Sequence, residues 1–474
     1  MMTAFTSPIS STADLRGRRA VVLGLARSGV AACRFLADVG ADVTAYDRRP
    51  PDELADAVAA LEGRDIDLAL GVDEAAVGAL LDGADLLVTS PSISPRFPTT
   101  DAWLRDALSA AEARGVPLVS EVGLFLRLTR ARVLGVTGTK GKTTTASLLA
   151  AILARADLKV ALGGNIGTPL IEQTDTLGPD AWAVLELSEL QLPTIDRGVD
   201  VALYTNITED HLDRHGSVAA YRAVKALLAE LTAPAGRIVL NADDPGCREL
   251  GERLDPATLA WYGRSGAGGR PLEAGIDGDG WIRVAGERLL PSDEVPLPGQ
   301  HMLANVVGAA LAARLAGAGG PAIAAAIRTF PGVPHRLETV GEHRGVRWVN
   351  DSQATVPAAA IAALQAFDAP IVLIAGGKDK GLDYERLADV AAGRARACVL
   401  IGETADELER RLAGRLPVRR AGSMAEAVTL AASLAQPGDV ALLAPAAASF
   451  DMFADYADRG DAFRAAVGRL GGKA

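Results

Sequence analysis

Residues 134–145, LGVTGTKGKTTT, restrict the fold more than any other part of this sequence. An apolar run precedes the segment, Gly138 and Gly141 lie within it, and a helix-period stretch, TTTASLLAAILARA, follows it. The succession of buried strand, glycine-rich loop and helix is typical of proteins that bind nucleotide phosphates. The strict motif has a glycine where this chain has Val136, yet a Gly-Lys-Thr triplet after a strand still indicates a phosphate site.

The polar groups of this loop have distinct physical roles. The two glycines allow backbone N–H groups to converge on phosphate oxygens, and the helix N-terminus adds its dipole. Lys142 places a charge against the outer phosphates, and Thr143 offers a hydroxyl to Mg²⁺. The predicted ATP-binding residues of the loop are Gly138, Thr139, Lys140, Gly141, Lys142, Thr143 and Thr144.

Short apolar runs that end in polar residues recur along the chain and predict an α/β fold. In the first part, AVVLGLARSGVAACRFLADVGADVTAYD predicts a βαβ unit. The middle part has AWAVLEL, VALYTNI and GRIVLNADD, and the last part has VRWVND, APIVLIAGG, ARACVLIG and GDVALLAPA. Such runs are typical of parallel strands whose carboxyl ends face a site. Residues 255–298 are richer in glycine and give weaker strand signals.

The length of 474 residues corresponds to roughly three domains of about 150 residues each. We predict a Rossmann-like N-terminal domain at residues 1–122, a central P-loop ATPase-like domain at 123–332 and a Rossmann-like C-terminal domain at 333–474. All three are expected to be parallel α/β layers.

The charge and the cysteines exclude several classes of protein. A net charge of −11, without a basic stripe or tail, argues against a nucleic-acid partner. The 3 cysteines lie far apart and match neither a disulfide framework nor a paired-cysteine metal site. Neither a signal-peptide pattern nor a long uninterrupted apolar stretch is visible. We therefore expect a cytoplasmic monomer that is not inserted in a membrane and whose partners are small molecules.

Two further segments supply carboxylates, imidazoles and an amine. Glu186, in VLELSEL, ends a strand-like run, where a single carboxylate is a usual Mg²⁺ ligand. NITEDHLDRHGS follows another such run, and its His211–His215 spacing fits two ligands on one helical face, although a third ligand is missing nearby. Solvated loop charges are the alternative there, and Lys225, in YRAVKALL, could equally be an exposed helical lysine.

The order of these motifs resembles that of the Mur ligases. The resemblance extends from about residue 20 to 465 and is greatest to the members that add glutamate to UDP-N-acetylmuramoyl-L-alanine. The motifs that carry it, besides the phosphate loop, are GGNIG, LELSELQL, NITEDHLDRH, YRAVK, PLPGQH with Asn305, PHR, NDSQAT, AGGKDKG and APAAASFDMFADY.

The resemblance implies ATP-dependent amide-bond formation in peptidoglycan precursor synthesis. ATP would phosphorylate the substrate carboxylate, and the glutamate amine would attack the resulting acyl phosphate. ATP and Mg²⁺ are the implied cofactors, and Lys225 matches the lysine that the family carries as a carbamate. The implied catalytic residues are Lys142, Glu186, His211 and Lys225, and the implied metal-site residues are Thr143, Glu186, His211 and Lys225.

The same resemblance assigns residues to the three substrates. The UDP-substrate is expected at Arg27, Ser28, Asp47, Arg48, Ser90, Pro91 and Asn165. Adenine and ribose are expected at Asn305, Arg336 and Asp351. Glutamate is expected at Thr355, Lys380, Ser449, Phe450 and Tyr456.

Several positions depart from the family pattern. Lys140 replaces the usual Asn, Ser92 replaces Gly, Glu189-Leu190 replaces Ser-Phe, and Gln353 and Val356 replace Lys and Asn. At the last pair a positive charge near the amino-acid pocket is lost, while Lys140 and Lys378 add positive charge elsewhere, so the change could be a redistribution of charge. Alternatively, it alters how glutamate is bound, including which enantiomer is used. We predict that D-glutamate is the acceptor, with L-glutamate or another amino acid as the alternative.

Other readings explain only parts of the chain. Folylpolyglutamate synthases share the central and C-terminal domains but lack a separate UDP-binding block. Other Mur ligases add a different amino acid or a dipeptide. A P-loop ATPase or switch protein would explain the loop alone, and a nicotinamide dehydrogenase would explain the first block alone. In that block GLARSG has Ala26 in place of the second glycine of the dinucleotide fingerprint.

Overall fold

The computed structural model describes residues 9–208, 215, 217–232, 235–264, 271–297 and 300–470. The strands are β1 (Arg19–Leu23), β2 (Asp42–Asp47), β3 (Ile66–Leu70), β4 (Leu86–Thr89), β5 (Leu118–Ser120), β6 (Arg132–Thr137), β7 (Lys159–Gly164), β8 (Ala181–Glu186), β9 (Val201–Tyr204), β10 (Arg237–Asn241), β11 (Leu259–Tyr262), β12 (Ala274–Ile276), β13 (Trp281–Val284), β14 (Glu287–Pro291), β15 (Glu338–His343), β16 (Val346–Asn350), β17 (Ile371–Ala375), β18 (Ala395–Leu400), β19 (Val418–Arg420) and β20 (Val440–Leu443). The α-helices are α1 (Arg27–Asp38), α2 (Ala55–Leu61), α3 (Glu74–Gly83), α4 (Ala102–Ala113), α5 (Glu121–Leu128), α6 (Lys142–Arg155), α7 (Val218–Thr232), α8 (Pro245–Gly251), α9 (Gln300–Leu315), α10 (Gly320–Thr329), α11 (Pro357–Gln365), α12 (Glu385–Arg394), α13 (Ala405–Leu412), α14 (Met424–Leu434) and α15 (Tyr456–Leu470).

The first sheet has five parallel strands in the order β3-β2-β1-β4-β5. Helix α1 connects β1 to β2, which confirms the predicted βαβ unit. Strand β1 reads RAVVL and is buried from its second residue onward, as expected for a strand covered on both faces. Its carboxyl end therefore meets those of β2 and β4 at one edge of the sheet.

The second sheet has nine strands in the order β14-β13-β12-β11-β10-β9-β6-β8-β7. The loop-bearing strand β6 lies between β9 and β8 and runs parallel to both. The expectation of a purely parallel layer is wrong at the other edge, where β12, β13 and β14 form an antiparallel meander. Ala285 and Gly286, both at positive φ, form the two-residue turn between β13 and β14.

The third sheet has six strands in the order β15-β16-β20-β17-β18-β19. It is parallel except at β15, which pairs antiparallel with β16 across a turn at Arg344 and Gly345. The parallel expectation is wrong for this strand too, because a two-residue turn can only return the chain antiparallel. The α/β fold class predicted from the sequence is confirmed.

The chain divides into two compact units. One comprises Met1–Val295 with Leu303–Arg328 and contains the first two sheets; the other comprises Pro296–Met302 with Thr329–Ala474 and contains the third sheet. The domain boundaries near residues 122 and 332 remain predictions. The cysteines Cys33, Cys247 and Cys398 are buried and form no disulfide. In the part of the chain that the structure describes, no helix is long and apolar enough to cross a membrane.

Candidate active site

The phosphate loop connects β6 to α6, as its sequence predicts. Helix α6 begins at Lys142, directly after Gly141, which has φ +85°. A Cβ atom on Gly141 would lie 2.4 Å from the Asn305 amide nitrogen, and one on Gly138 would lie 2.0 Å from the Thr205 hydroxyl. A larger residue at either position would therefore collide with neighbouring atoms, and the positive φ of both residues also favours glycine. The contact also places Asn305 against the loop.

Residues that follow β9 pack against the phosphate loop and form hydrogen bonds with it. The Thr139 N–H donates to the Asn206 carbonyl at 2.8 Å, and the Lys140 N–H donates to the Asn206 side-chain oxygen at 3.0 Å. The Thr205 hydroxyl donates to the Lys140 carbonyl at 2.7 Å. These bonds fix the loop backbone, and sequence reasoning assigned no role to Thr205 or Asn206. The side chain of Lys140 itself is exposed.

Lys142 is folded over the loop. Its ammonium group donates to the carbonyls of Gly138 and Thr139, each at 3.0 Å. Thr143 and Thr144 are buried in the first turn of α6. A cation, two hydroxyls and a helix N-terminus are thus gathered at one point, where negative charge on a ligand would be stabilised.

Glu186 is buried at the end of β8. Its Oε1 accepts a 2.8 Å hydrogen bond from the side-chain amide of Asn165, whereas its Oε2 is buried and has no hydrogen-bond partner within the described ranges. Gly164 permits this approach, since a Cβ there would lie 2.3 Å from the Glu186 carbonyl oxygen. A buried carboxylate oxygen without a donor is costly, and a cation would satisfy it.

Lys225 is fully buried in α7, so the alternative of an exposed helical lysine is wrong. Its Nζ lies 3.1 Å from the Gly138 carbonyl and 3.3 Å from the Thr137 hydroxyl. The Glu189 carboxylate is 4.0 Å away. The helix therefore places a second amine at the phosphate loop, within hydrogen-bond distance of the same Gly138 carbonyl that Lys142 contacts.

Of the histidine segment, the described residues include His215. His211 lies outside the described residues, so its predicted catalytic and metal-binding role, and the idea of a His211–His215 pair, stay predictions. His215 is half-buried with its ring edge-on to Tyr221, at a centroid distance of 5.4 Å. The Tyr221 hydroxyl donates to the Thr139 hydroxyl at 3.0 Å, another loop contact that the sequence did not reveal. Among the described residues, no group of three or more His, Cys, Asp or Glu side chains is placed to hold a metal ion, an absence that concerns neither the Thr143 hydroxyl nor His211.

The residues predicted for the UDP-substrate follow β1, β2 and β4, apart from Asn165, which is exposed beside Glu186. Gly24, after β1, would place a Cβ 3.1 Å from that of Ser90, after β4, so these two turns are in contact. Arg27 opens α1, followed by Ser28, while Pro91 adjoins Ser90. The turns after β1 and β4 thus meet at the carboxyl end of the sheet, and the assignment of these residues to the UDP-substrate stays a prediction.

Asp47 ends β2 and is buried. Its carboxylate accepts the Leu25 N–H at 2.9 Å and is held by the guanidinium of Arg49, not of Arg48, which is exposed. Burial raises the pKa of Asp47, but the hydrogen bonds from Arg49 and Leu25 outweigh it and lower the pKa to about 2. Asp47 is therefore ionised, and Arg49 is a partner that sequence reasoning missed.

In the second unit, Arg336 and Asp351 lie close to each other. The Leu337 N–H donates to the Asp351 carboxylate at 3.1 Å. Burial raises the pKa of Asp351 to about 6, against the lowering effects of that N–H and of the Arg336 charge. His335 and Leu337, on either side of Arg336, both have positive φ, so the chain turns tightly around this arginine.

Four of the five residues predicted for glutamate, all except Tyr456, lie on three loops, which we call the acceptor loops: 351–355 after β16, 376–381 after β17 and 444–451 after β20. These strands are neighbours in the sheet. The Ala446 N–H donates to the Ala354 carbonyl at 2.8 Å, and the Lys378 N–H donates to the Ala448 carbonyl at 2.9 Å. The acceptor loops are therefore joined to one another by backbone hydrogen bonds.

Side chains on the acceptor loops differ in exposure. Ser449 is buried and Thr355 half-buried, while Phe450 is 69% exposed and Tyr456, which opens α15, is 41% exposed. Lys380 is exposed and contacts no polar group in the described part of the chain. Lys378, by contrast, is bound to Glu403 at 2.8 Å. The structure thus distinguishes one engaged lysine from one that projects from the loop.

Comparisons with known proteins place this arrangement in a family. The Mur ligase middle domain matches residues 136–313, and the Mur ligase glutamate ligase domain matches residues 335–447. Among solved structures, a pseudomurein peptide ligase type C from Methanothermus fervidus covers 96% of this chain and 100% of its own, with a TM-score of 0.54 and 19% identity. The UDP-N-acetylmuramate-alanine ligase of Thermotoga maritima covers 95% and 99%, with a TM-score of 0.55 and 17% identity. At these identities the likeness concerns the fold alone.

Curated relatives are much more similar in sequence. The UDP-N-acetylmuramoylalanine--D-glutamate ligase of Symbiobacterium thermophilum is 40% identical over 458 residues, which cover 95% of this chain and 98% of the relative. The enzyme of the same name from Anaeromyxobacter dehalogenans is 42% identical over 465 residues, which cover 95% and 97%. The present chain belongs to the Mur ligase family and, within it, to the group of the UDP-N-acetylmuramoylalanine--D-glutamate ligases.

Proposed function

We propose that this protein is an ATP-dependent ligase that joins D-glutamate to UDP-N-acetylmuramoyl-L-alanine during peptidoglycan precursor synthesis. The observation that carries the proposal is the 40% identity, over 95% of the chain, to an enzyme named for this reaction. The arrangement of Lys142, Glu186 and Lys225 near one phosphate loop supports it, because these groups are suited to phosphoryl transfer from ATP.

The reaction has two steps. A carboxylate oxygen of the alanyl group attacks the γ-phosphorus of ATP, so that a C–O–P linkage forms and ADP leaves. The amine of D-glutamate then attacks the acyl carbon, the C–O bond to phosphate breaks, and the amine loses a proton. Both steps bring anionic reactants together, and the positive groups at the loop lower the electrostatic repulsion between them.

Lys142 is suited to the first step. Its ammonium group already lies at 3.0 Å from two loop carbonyls, so it can follow the outer phosphates with little reorganisation. The N–H groups of residues 138–144 bind the phosphates, and Asn305, beside Gly141, borders the nucleotide. Arg336 and Asp351 are the residues proposed for adenine and ribose.

The residues fit a magnesium ion. Glu186 presents a buried carboxylate oxygen without a hydrogen-bond partner in the described part of the chain, and a hard oxygen is the ligand that Mg²⁺ prefers. Thr143 and His211 are the further proposed members of the metal site. The ion, when bound, supplies Lewis-acid stabilisation of the phosphoryl oxygens.

Lys225 is proposed to carry a carbamate. Its ammonium group would first lose one proton, and the neutral amine would then add to the carbon of CO₂ with loss of a second. A buried cation would thereby become a carboxylate-like anion beside the metal site. Full burial against the loop supports the proposal, because a surface lysine would have no such role. The neighbouring Glu189 favours the ammonium form instead, so the carbamate requires the cation site to be filled.

The substrate groups are assigned by position. Arg27, Ser28, Asp47, Arg48, Ser90, Pro91 and Asn165 are proposed for the UDP-muramoyl substrate, and Thr355, Lys380, Ser449, Phe450 and Tyr456 for glutamate. Arg49 extends the first group, since it orients Asp47. We further propose that the protein acts in the cytoplasm, because its nucleotide substrates are water-soluble. We also propose that it is a monomer, which light scattering would test.

The experiment that tests the function is ATP-dependent phosphate release with UDP-N-acetylmuramoyl-L-alanine. We expect release only when both that substrate and D-glutamate are present, together with Mg²⁺. L-Glutamate and other amino acids serve as matched acceptors, and a folate substrate tests the folylpolyglutamate alternative. Preference for L-glutamate would change the acceptor, whereas phosphate release without any acceptor would favour a simple ATPase.

A further inference from the structure

A buried guanidinium lies beneath the acceptor loops. Arg459, in the first turn of α15, has no exposed surface. Its Nε donates to the Ser352 hydroxyl at 2.9 Å and its Nη2 to the Ser352 carbonyl at 2.9 Å. Its Nη1 donates to the carbonyls of Ala447 and Ala448, each at 3.0 Å. One side chain therefore binds two acceptor loops, after β16 and after β20.

The third acceptor loop is in contact with the same group. A Cβ atom on Gly377 would lie 3.1 Å from Arg459 Nη1 and 2.1 Å from the Ala448 carbonyl oxygen. Gly377 has φ +152°, so this loop reaches the guanidinium only because glycine occupies the position. Arg459 thus lies where the carboxyl ends of β16, β20 and β17 converge, the edge at which open α/β sheets bind ligands.

The charge of Arg459 is not neutralised by direct pairing. Its hydrogen bonds go to one hydroxyl and to backbone carbonyls, and in the described part of the chain no carboxylate accepts one. Asp451 acts on it only through its longer-range charge. Burial lowers the pKa of Arg459 to about 10, which still leaves the group charged at neutral pH. A buried unpaired charge is expensive to keep, and neutral residues could fill the space.

We propose that Arg459 is a positioning residue for the amino-acid substrate, holding the three acceptor loops in register and adding a fixed positive potential beneath them. This inference rests on the proposed ligase function, from which the acceptor is taken to be glutamate, a dicarboxylate. The guanidinium does not touch the substrate; it acts through Ser352, Ala448 and their neighbours. Its potential adds to that of the exposed Lys380 and favours an acceptor that is anionic overall.

The test compares Arg459→Lys and Arg459→Gln with the unmodified enzyme. We expect the KM for D-glutamate to rise about tenfold in the Lys variant, which keeps the charge but loses the planar fork, and further in the Gln variant. The KM for UDP-N-acetylmuramoyl-L-alanine should stay within about twofold in both. Amide hydrogen exchange at Lys378 and Ala446, whose N–H groups join the loops, should accelerate in parallel.

Two further variants separate positioning from stability. Phe463→Leu, in the same helix, removes packing against Trp348 without touching an acceptor loop, so it should lower thermal stability and leave the KM for D-glutamate unchanged. Ser352→Ala removes one hydroxyl from the guanidinium and should raise that KM by a few fold even if the Arg459 variants do not fold.

The outcomes are distinct. An unmodified enzyme without amino-acid-dependent phosphate release would overturn the proposed function, and with it the assignment of these loops to an amino acid. An active enzyme in which Ser352→Ala and the Arg459 variants change the KM for D-glutamate no more than Phe463→Leu does would overturn the positioning role alone.

Discussion

The phosphate loop of the first unit and the acceptor loops of the second unit hold their charges differently. Lys142 and Lys225 both lie within hydrogen-bond distance of loop carbonyls, and Lys225 is fully buried. Lys380, in contrast, is exposed, and the only fully buried cation at the acceptor loops within the described ranges is Arg459. The first region therefore holds its lysines by hydrogen bonds before a ligand binds, whereas the second combines an exposed lysine with a buried arginine.

This difference separates chemistry from recognition. Charges that need no reorganisation act mainly on the transition state, where they change kcat. An exposed lysine that captures a carboxylate contributes to the bound substrate and the transition state alike, and therefore changes KM. Substitutions in the two regions should consequently have different kinetic signatures.

The largest effect is expected at Lys225. Lys225→Ala removes the proposed carbamate and should lower kcat by roughly 1000-fold or more, by analogy with loss of a principal catalytic group. Lys225→Arg should fail as well, because arginine keeps its charge and does not form a carbamate. Phosphate-release kinetics, with thermal unfolding as the folding control, provide the measurement.

Two controls sharpen this test. Acetate at high concentration should partly restore Lys225→Ala by occupying the vacated anion site. Glu189→Ser removes the carboxylate at 4.0 Å that favours the ammonium form, so it should increase incorporation of labelled CO₂. Full activity of Lys225→Arg would contradict the carbamate.

Lys142→Ala should lower kcat by roughly 100- to 1000-fold, as removal of one preorganised electrostatic group does. The KM for D-glutamate should change little, because the lost charge acts on phosphate. Folding should be preserved, since Lys142 lies on the loop and is only partly buried, and its hydrogen bonds to the Gly138 and Thr139 carbonyls are local. Near-normal product formation by this variant, measured by chromatography, would refute the loop assignment.

Lys380→Ala should show the opposite signature. We expect the KM for D-glutamate to rise about tenfold, because one charge-assisted hydrogen bond to the substrate is lost. The change in kcat should be smaller. Lys378→Ala is the matched control on the same loop, because Lys378 is already engaged by Glu403. A larger KM effect at Lys378 than at Lys380 would reverse the assignment of the two lysines.

The smallest effect is expected at Gln353, where the family usually has lysine. Gln353→Lys should lower the KM for D-glutamate by about two- to fivefold, since a charged donor binds a carboxylate roughly twice as strongly as an amide. Steady-state kinetics with both enantiomers provide the measurement. If the unmodified enzyme prefers L-glutamate, the substitutions at 353 and 356 mark a stereochemical variant instead.

Local sequence was sufficient for the elements with strong periodicity. The βαβ unit, the loop-bearing strand and most central strands were predictable because buried parallel strands are uninterrupted apolar runs bounded by turns. The edge strands β12 to β15 were not, because they are short and partly exposed, and their pairing depends on two-residue turns such as Ala285-Gly286. Their direction is decided by neighbours in the sheet.

The sequence by itself determined the phosphate loop, since its glycines, lysine and threonines are contiguous and act through local backbone geometry. It also determined the family, because the order of the motifs along the chain can be recognised without knowing where they lie in the structure. Only the tertiary structure decided that Lys225 is buried against Gly138, that Arg49 rather than Arg48 holds Asp47, and that Arg459 joins the acceptor loops. Burial and pairing depend on what long-range folding places beside a side chain, and a single sequence does not encode that locally.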